Sequence, residues 1–314
     1  MSAAGHGGLR QGPAEWALLI GLVALWGSSF LLVRVALDAF TPVAVTAGRL
    51  LIGAGVLLLV LLLTQRRVPA SGRAWAFFLT MAVLGNALPF FLIAWGQVAI
   101  PSGLTGILMA VMPLVVLLLA HFFVAGERLT RRRGLGFLLG FVGVIVLTGP
   151  DALAALVGVD AALLSQLAVL TAAVCYGVAV IVARRGPPLN PVVTGAAVLS
   201  IASVLVGTVL VAGGALGGAE AVVHHPPSLW PGLALAALGA LSTGLATVVY
   251  FVLVARAGPT FLSLINYLIP VWAVVLGAVV LDERLPPRAF AALGLILAGV
   301  VIARWRPRRA GAAA

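Results

Sequence analysis

Two asparagines stand beside prolines inside long apolar stretches. Asn86 lies three residues before Pro89, and Asn266-Tyr267 lie just before Pro270. A proline has no N–H to donate, so it frees a carbonyl of the preceding turn. In an apolar setting that carbonyl needs a partner, and a neighbouring amide or a bound molecule can supply it. Trp26, Ser28 and Ser29 form a second polar group, and Tyr176 and Trp272 add aromatic rings in other apolar stretches. Such residues bind rather than react. Amides can hold an amino or carboxyl group, and aromatic rings can pack the rest of a small molecule. The plainer alternatives stay open: each asparagine can bond a neighbouring helix, and Gly27 with its serines can let helices approach closely. Ser242, Thr243, Thr247 and Tyr250 are weaker candidates, because Ser and Thr often satisfy their own helix backbone.

Arg49 is the costliest residue, about two turns into its apolar stretch. A central arginine costs about 2.5–3.5 kcal/mol on insertion scales, so it should face protein or water. It reads either as a receptor for a carboxylate or phosphate, or as an anchor that caps helix carbonyls or snorkels outward. His121 reads as a packed or interfacial histidine, or as a proton site. No Asp or Glu lies deep in an apolar stretch. A buried acid for a cation or a driving proton is therefore missing, which favours neutral or zwitterionic ligands. Glu127 and Glu283, beside Arg128 and Arg284, read as turn-stabilising ion pairs. The single cysteine, Cys175, excludes an internal disulfide and a multi-cysteine metal site. His224-His225-Pro226-Pro227 reads as a surface turn, since a histidine pair alone makes a poor metal site. No metal or cofactor is expected.

The elements that position these residues are membrane helices. Hydrophobic residues make up 63% of the chain and charged residues 9%. Ten apolar spans are expected, over 14–34, 42–64, 73–95, 102–125, 134–150, 160–184, 191–213, 229–256, 259–281 and 288–305. Pro42, Pro191, Pro231 and Pro259 suit helix starts. The first span is too long for a cleavable signal peptide and has no small-residue cleavage site. All nineteen basic residues are arginine, and fifteen fall on one side of these spans. That bias places both termini and the 126–133 loop in the cytoplasm and the 213–228 loop outside. The net charge of +11 does not imply nucleic acid, because the arginines sit in short loops and form no basic domain.

Part of the chain occurs twice. Pro113 precedes Glu127-Arg128-Leu129 by fourteen residues, and Pro270 precedes Glu283-Arg284-Leu285 by thirteen. Glu127 to Gly143 and Glu283 to Gly299 both span sixteen positions. Five spans per copy is odd, so the second copy enters the membrane upside down. Such inverted repeats place a site at their interface near the midplane and permit alternating access. The closing span of each copy carries small residues, Gly134, Gly136, Gly140 and Gly143 in one and Gly294, Ala298 and Gly299 in the other. Small faces let helices pack closely, so these two spans read as scaffold.

Trp26-Gly27-Ser28-Ser29-Phe30 resembles the signature of the EamA family of the drug/metabolite transporter superfamily, with Tyr176-Gly177 at the equivalent place in the second copy. The spacing from proline to Glu-Arg-Leu is similar to the closing helices of that family. The resemblance covers residues 14–305. It implies an all-α membrane protein of ten transmembrane helices in two inverted five-helix repeats, 14–150 and 160–305. It also implies export of small metabolites, often amino acids, through a cavity lined by helices one, three, four, six, eight and nine. Helix two is outside that set, which favours the structural reading of Arg49. The expected partners are a small-molecule substrate and the lipid bilayer, in the cell's inner membrane; the oligomeric state is left open. A lipid-linked sugar or nucleotide-sugar carrier is an alternative, but it needs several cavity cations and only Arg49 is available. A membrane-embedded enzyme would need clustered acids, histidines or metal ligands, and here the acids are scattered. A non-transporting assembly subunit is the remaining alternative.

Overall fold

A computed structural model describes residues 12–69, 71–124, 130–148, 160–218, 222–224 and 228–304. Glu127-Arg128-Leu129, His225 and the terminal arginines Arg10, Arg306, Arg308 and Arg309 lie outside these residues. Among the described residues, all helices and strands assigned are helices; the sole β feature is a bridge between Phe40 and Val223.

The first half forms α1 (Pro13–Ala36), α2 (Pro42–Thr64) and α3 (Gly72–Ala82). A π-helical segment, Val83–Ala87, carries α3 into α4 (Leu88–Gly96). Next come α5 (Ser102–Met109), α6 (Met112–Phe123) and α7 (Arg131–Thr148). The second half forms α8 (Ala161–Arg185), α9 (Pro191–Gly217) and α10 (Leu229–Ala237). A second π segment, Leu238–Leu245, leads into α11 (Ala246–Leu262), followed by α12 (Ile265–Val280) and α13 (Pro287–Arg304). Seven rods are long and apolar enough to cross a membrane: Pro13–Ala36, Pro42–Thr64, Gly72–Gly96, Ser102–Phe123, Ala161–Arg185, Pro191–Gly217 and Leu229–Pro259. The chain is therefore a multi-pass membrane protein. An expected count of ten needs three shorter helices as well, α7, α12 and α13.

Local chemistry explains the boundaries. Pro42 and Pro191 open α2 and α9, where a missing N–H costs nothing. Thr41 Oγ1 accepts from the Ala44 N–H at 3.3 Å, and Asn190 Oδ1 accepts from the Val192 N–H at 3.0 Å. Each cap satisfies a donor that the helix start leaves unpaired. Pro231 instead occupies the third position of α10. Pro259 follows Gly258, whose φ of 80° turns the chain before α12. Away from the core, Leu51, Leu59, Leu62 and Leu63 point outward, as lipid contact requires.

Helix pairings between the halves come in mates. Swapping the halves carries α2–α9 and α7–α13 onto themselves. It carries the contact of α1 with α11 onto that of α8 with α4, and α1–α12 onto α8–α6. It also carries α2 on the second π segment onto α9 on the first. The two π segments begin 155 positions apart, close to the 157 that separate Pro113 from Pro270.

The small faces of α7 and α13 pack on each other. A Cβ at Gly136 would strike the Gly299 carbonyl, and one at Gly299 would strike the Gly136 carbonyl. Gly143 lies 3.1 Å, by the same measure, from the Ala292 carbonyl. Gly294 faces open space and takes no part. At the α1–α2 turn the Thr41 N–H donates to the Val222 carbonyl at 3.1 Å, and the His224 N–H to the Ala39 carbonyl at 2.9 Å. Those bonds put 222–224 at the same end as the α1–α2 turn.

Candidate functional site

The site is built where α1, α4, α5, α8 and α12 meet. Gly27 lets α12 come close. Its absent Cβ would lie 2.5 Å from the Trp272 ring, and Trp272 Nε1 donates to Ser28 Oγ at 3.1 Å. In the other half, Gly177 takes the Val115 side chain in the same way, at 2.6 Å. Val115 and Trp272 are 157 positions apart, as are Pro113 and Pro270. The two aromatic-glycine pairs thus seat matched residues of the opposite half. The Trp26 ring packs on Tyr250 with centroids 5.6 Å apart, and Ser29 donates to the Trp26 carbonyl.

Each π segment carries one polar side chain that donates five residues back. Asn86 Nδ2 donates to the Met81 carbonyl at 3.2 Å, and Thr243 Oγ1 to the Leu238 carbonyl at 3.0 Å. Asn86 and Thr243 are also 157 positions apart. The sequence pattern pairs Asn86 with Asn266, whereas the backbone pairs it with Thr243. Asn266 Nδ2 donates to the Ser263 carbonyl at 3.1 Å, three residues back.

Arg49 is 6% exposed and faces protein. Its Nε donates to Thr243 Oγ1 at 2.9 Å, and its guanidinium carbon lies 3.5 Å from the centre of the Phe90 ring. Glycines make this approach possible. Gly53 meets Thr243, and Gly239 and Gly244 meet Ile52 and Val56. Bulkier residues would hold α2 away from the second π segment.

A layer of apolar side chains crosses the centre. Phe30, Ile93, Ala172 and Ala273 are buried against one another, with Met109, Tyr176 and Ile269 beside them. Gly106 completes it, since its Cβ would meet Ala273. Four residues along each helix, on the same face, the chemistry turns polar. Arg34 follows Phe30, Gln97 follows Ile93, Ser102 precedes Gly106 and Gly277 follows Ala273. Here a cavity of about 380 Å³ opens, lined by Arg34, Asp38, Gln97, Ile100, Leu281 and Glu283. On the far side of the layer, Trp26 and Tyr176 stand four positions from Phe30 and Ala172. Asn86 and Asn266 stand seven positions from Ile93 and Ala273. In an α-helix four and seven both return to the same face, although Asn86 itself lies in the π segment, where that period is broken. Tyr176 also packs beside Phe90 and lies within electrostatic reach of Arg49.

Glu283 departs from its expected role as half of a turn ion pair. Its two carboxylate oxygens accept the Ser102 N–H at 2.7 Å and the Gly103 N–H at 2.9 Å. A carboxylate is favoured there, because a helix start presents unpaired donors and a positive dipole end. It thereby ties the end of α12 to the start of α5, across the two halves.

Two of the expected site residues lie apart from the layer. Tyr267 packs with Leu114, Val300 and Ala303, against α6 and α13. His121 is two residues from the end of α6, in ring contact with Phe122. Gln97 was not legible as a site residue. In sequence it is an ordinary polar residue after an apolar run, and its one signal is the four-residue step from Ile93.

The EamA-like transporter family model matches residues 15–149 and again 163–305, which is once in each half of the fold. A probable terminal-alkyne amino-acid exporter of Streptantibioticus cattleyicolor is 29% identical, over 94% of this chain and 94% of that protein. The uncharacterized inner membrane transporter YedA of Escherichia coli strain K12 is 28% identical, over 93% of this chain and 91% of its own length. A solved crystal structure superposes with a TM-score of 0.64 at 21% identity, covering 93% of this chain and 97% of that one, and so shares the fold. With the family unit found twice and the mated helices arranged as described, the chain belongs to the EamA-like transporter family and is a membrane transporter of that type.

Proposed function

We propose that the protein exports small zwitterionic metabolites, amino acids among them, by alternating access between two inverted five-helix repeats, 14–150 and 160–305. In this reading it is not an enzyme, needs no cofactor, and crosses the inner membrane ten times. The observation that carries the reading is the apolar layer of Phe30, Ile93, Ala172 and Ala273 with a polar cavity beyond it. The reading puts Trp26, Asn86, Tyr176 and Asn266, one or two turns back along the same helices, on its other side. A polar cavity closed off by an apolar layer near the repeat interface is what a transporter presents between openings. The mated helix contacts support an inverted pair, and the Streptantibioticus relative supports the substrate class. A sugar-nucleotide carrier is less well supported, because Arg49 is committed to Thr243 and Phe90.

Ser28 and Trp272 position the first and ninth spans, while Asn86 and Asn266 offer amides to the substrate's amino or carboxyl group. Tyr267 would act from the second tier. His121 is the residue through which a proton would couple. Loss of a hydrogen bond to a charged group weakens an interaction roughly ten- to a hundredfold. Asn86→Ala and Asn266→Ala are therefore expected to slow efflux by that factor, with normal amounts of folded protein. Proteoliposomes loaded with labelled neutral amino acids measure this. Wild-type rates in both variants would remove the asparagines from the site, and no efflux of any amino acid by the wild type would sink the substrate class.

The orientation has its own test. In a Cys175→Ser background, Arg131→Cys should resist an impermeant thiol reagent in intact cells and His224→Cys should react. The reverse pattern would place the termini outside.

A further inference from the structure

We propose that the cavity beyond the apolar layer is a second binding subsite, one that takes the head group of an α-amino acid or a like zwitterion. The inference rests on the transport reading for its direction, and on its own observations for its existence. Gln97 is 1% exposed, lines the cavity, and neither its Nε2 nor its Oε1 has a hydrogen-bond partner among the described residues. Buried amides are normally bonded, so an unpartnered one beside a cavity points to a missing ligand, which the closed-off Nε2 and Oε1 reach by a change of rotamer. An amide offers donors and an acceptor on one planar group. Ser102 Oγ, a second buried group with no partner among the described residues, stands 3.2 Å from the position a Gly277 Cβ would take, beside the Glu283 carboxylate.

The charges around Gln97 carry both signs. Arg34 reaches Asp38 through a single contact of 3.4 Å, with both side chains substantially exposed, at 42% and 60%. So weak a pair yields readily to a ligand carboxylate, which can take the guanidinium on two oxygens. Asp38 is then left for an ammonium. Glu283 adds negative charge, since each of its oxygens accepts one N–H and keeps a second lone pair. A pure anion would meet Asp38 and Glu283, and a pure cation would meet Arg34 and the start of α5. A zwitterion satisfies both signs. Ile100 and Leu281 leave an apolar side for the remainder of the molecule.

The test reads binding at the cavity, separately from transport. Val98 lies on the cavity rim and is exposed, so Val98→Cys in a Cys175→Ser background can carry an environment-sensitive fluorophore. The probes are L-alanine, L-alaninamide and N-acetyl-L-alanine, which present both charges, the cation alone and the anion alone. A saturable response is expected for L-alanine, with the other two weaker by roughly tenfold or more. Arg34→Gln and Gln97→Leu should each weaken the L-alanine response by a similar factor. Gln97→Leu should also raise the melting temperature in detergent, because it removes a buried amide without a partner. A lower melting temperature would show the amide to be holding the fold, and would overturn its assignment as a ligand group. Equal responses to the three probes, or no response, would overturn the subsite. A response without efflux keeps the subsite and sinks the export reading. Efflux without a response does the opposite.

Discussion

Gly136→Leu is expected to remove most of the folded protein from the membrane. Spans α7 and α13 approach through bare backbone: a Cβ at Gly136 would meet the Gly299 carbonyl, with Ala303 behind it. Overpacking a core commonly costs about 1–3 kcal/mol, because side chains can shift. Here the obstacle is backbone on a partner helix, so the helices must separate. Inside lipid no hydrophobic effect draws them back together, and close packing is most of what holds them. Gly140→Leu should do less harm, since its obstacle is the flexible end of Leu114. Gly294→Leu adds a side chain to open space and should be silent. Fluorescence-detected size exclusion of detergent extracts ranks the three. Full yield of monodisperse Gly136→Leu protein would refute the backbone contact, and full yield with an altered substrate preference would move α7 out of the scaffold.

Arg49→Ala is expected to lower the yield and melting temperature markedly, whereas Arg49→Met should largely keep both. The magnitudes decide this. Removing the guanidinium relieves an insertion cost of about 2.5–3.5 kcal/mol. It forfeits the charged hydrogen bond to Thr243, worth about 1.5–3 kcal/mol, and the contact with Phe90, worth about 2 kcal/mol when desolvated. The losses exceed the gain by only about 1 kcal/mol at the midpoints, less than the space left behind is worth, so that space settles the outcome. Alanine leaves a cavity, which typically costs about 2–5 kcal/mol. Methionine fills much of the space, and apolar replacements of buried charges are often neutral. Thermal unfolding of the two purified variants is the measurement. Equal melting temperatures would exclude a packing role. Normal folding of Arg49→Ala with no transport would restore the anion-receptor reading.

How much of this was legible depended on whether a signal repeats. Trp26-Gly27 and Tyr176-Gly177 could be matched from the letters alone, and the packing of Gly27 on Trp272 and Gly177 on Val115 follows that match. The glycines of α7 were equally plain, since a small face has few other uses in lipid. The letters pair Asn86 with Asn266, because proline is the visible breaker. Its backbone counterpart is Thr243, and no residue type announces a π turn. Glu283 looked like a partner for its neighbour Arg284, but its partners are about 180 residues away in the chain. Gln97 gives no signal in sequence for the same reason, because the cavity beside it exists only once α1, α4 and the end of α12 have met.

The Arg49–Thr243 bond has a consequence for resting populations. In the proposed alternating access the halves exchange roles, and identical halves would give two end states of equal energy. A bond kept in only one of those states makes them unequal. Thr243 in one π segment is held by an arginine from α2, while α9, the counterpart of α2, has no charged residue to hold Asn86. A state that keeps the bond gains over one that breaks it by the worth of a charged hydrogen bond, about 1.5–3 kcal/mol. That difference favours one end state roughly ten- to a hundredfold, before any substrate binds. In that reading a frame with two matched halves acquires a preferred direction of rest from one unmatched side chain.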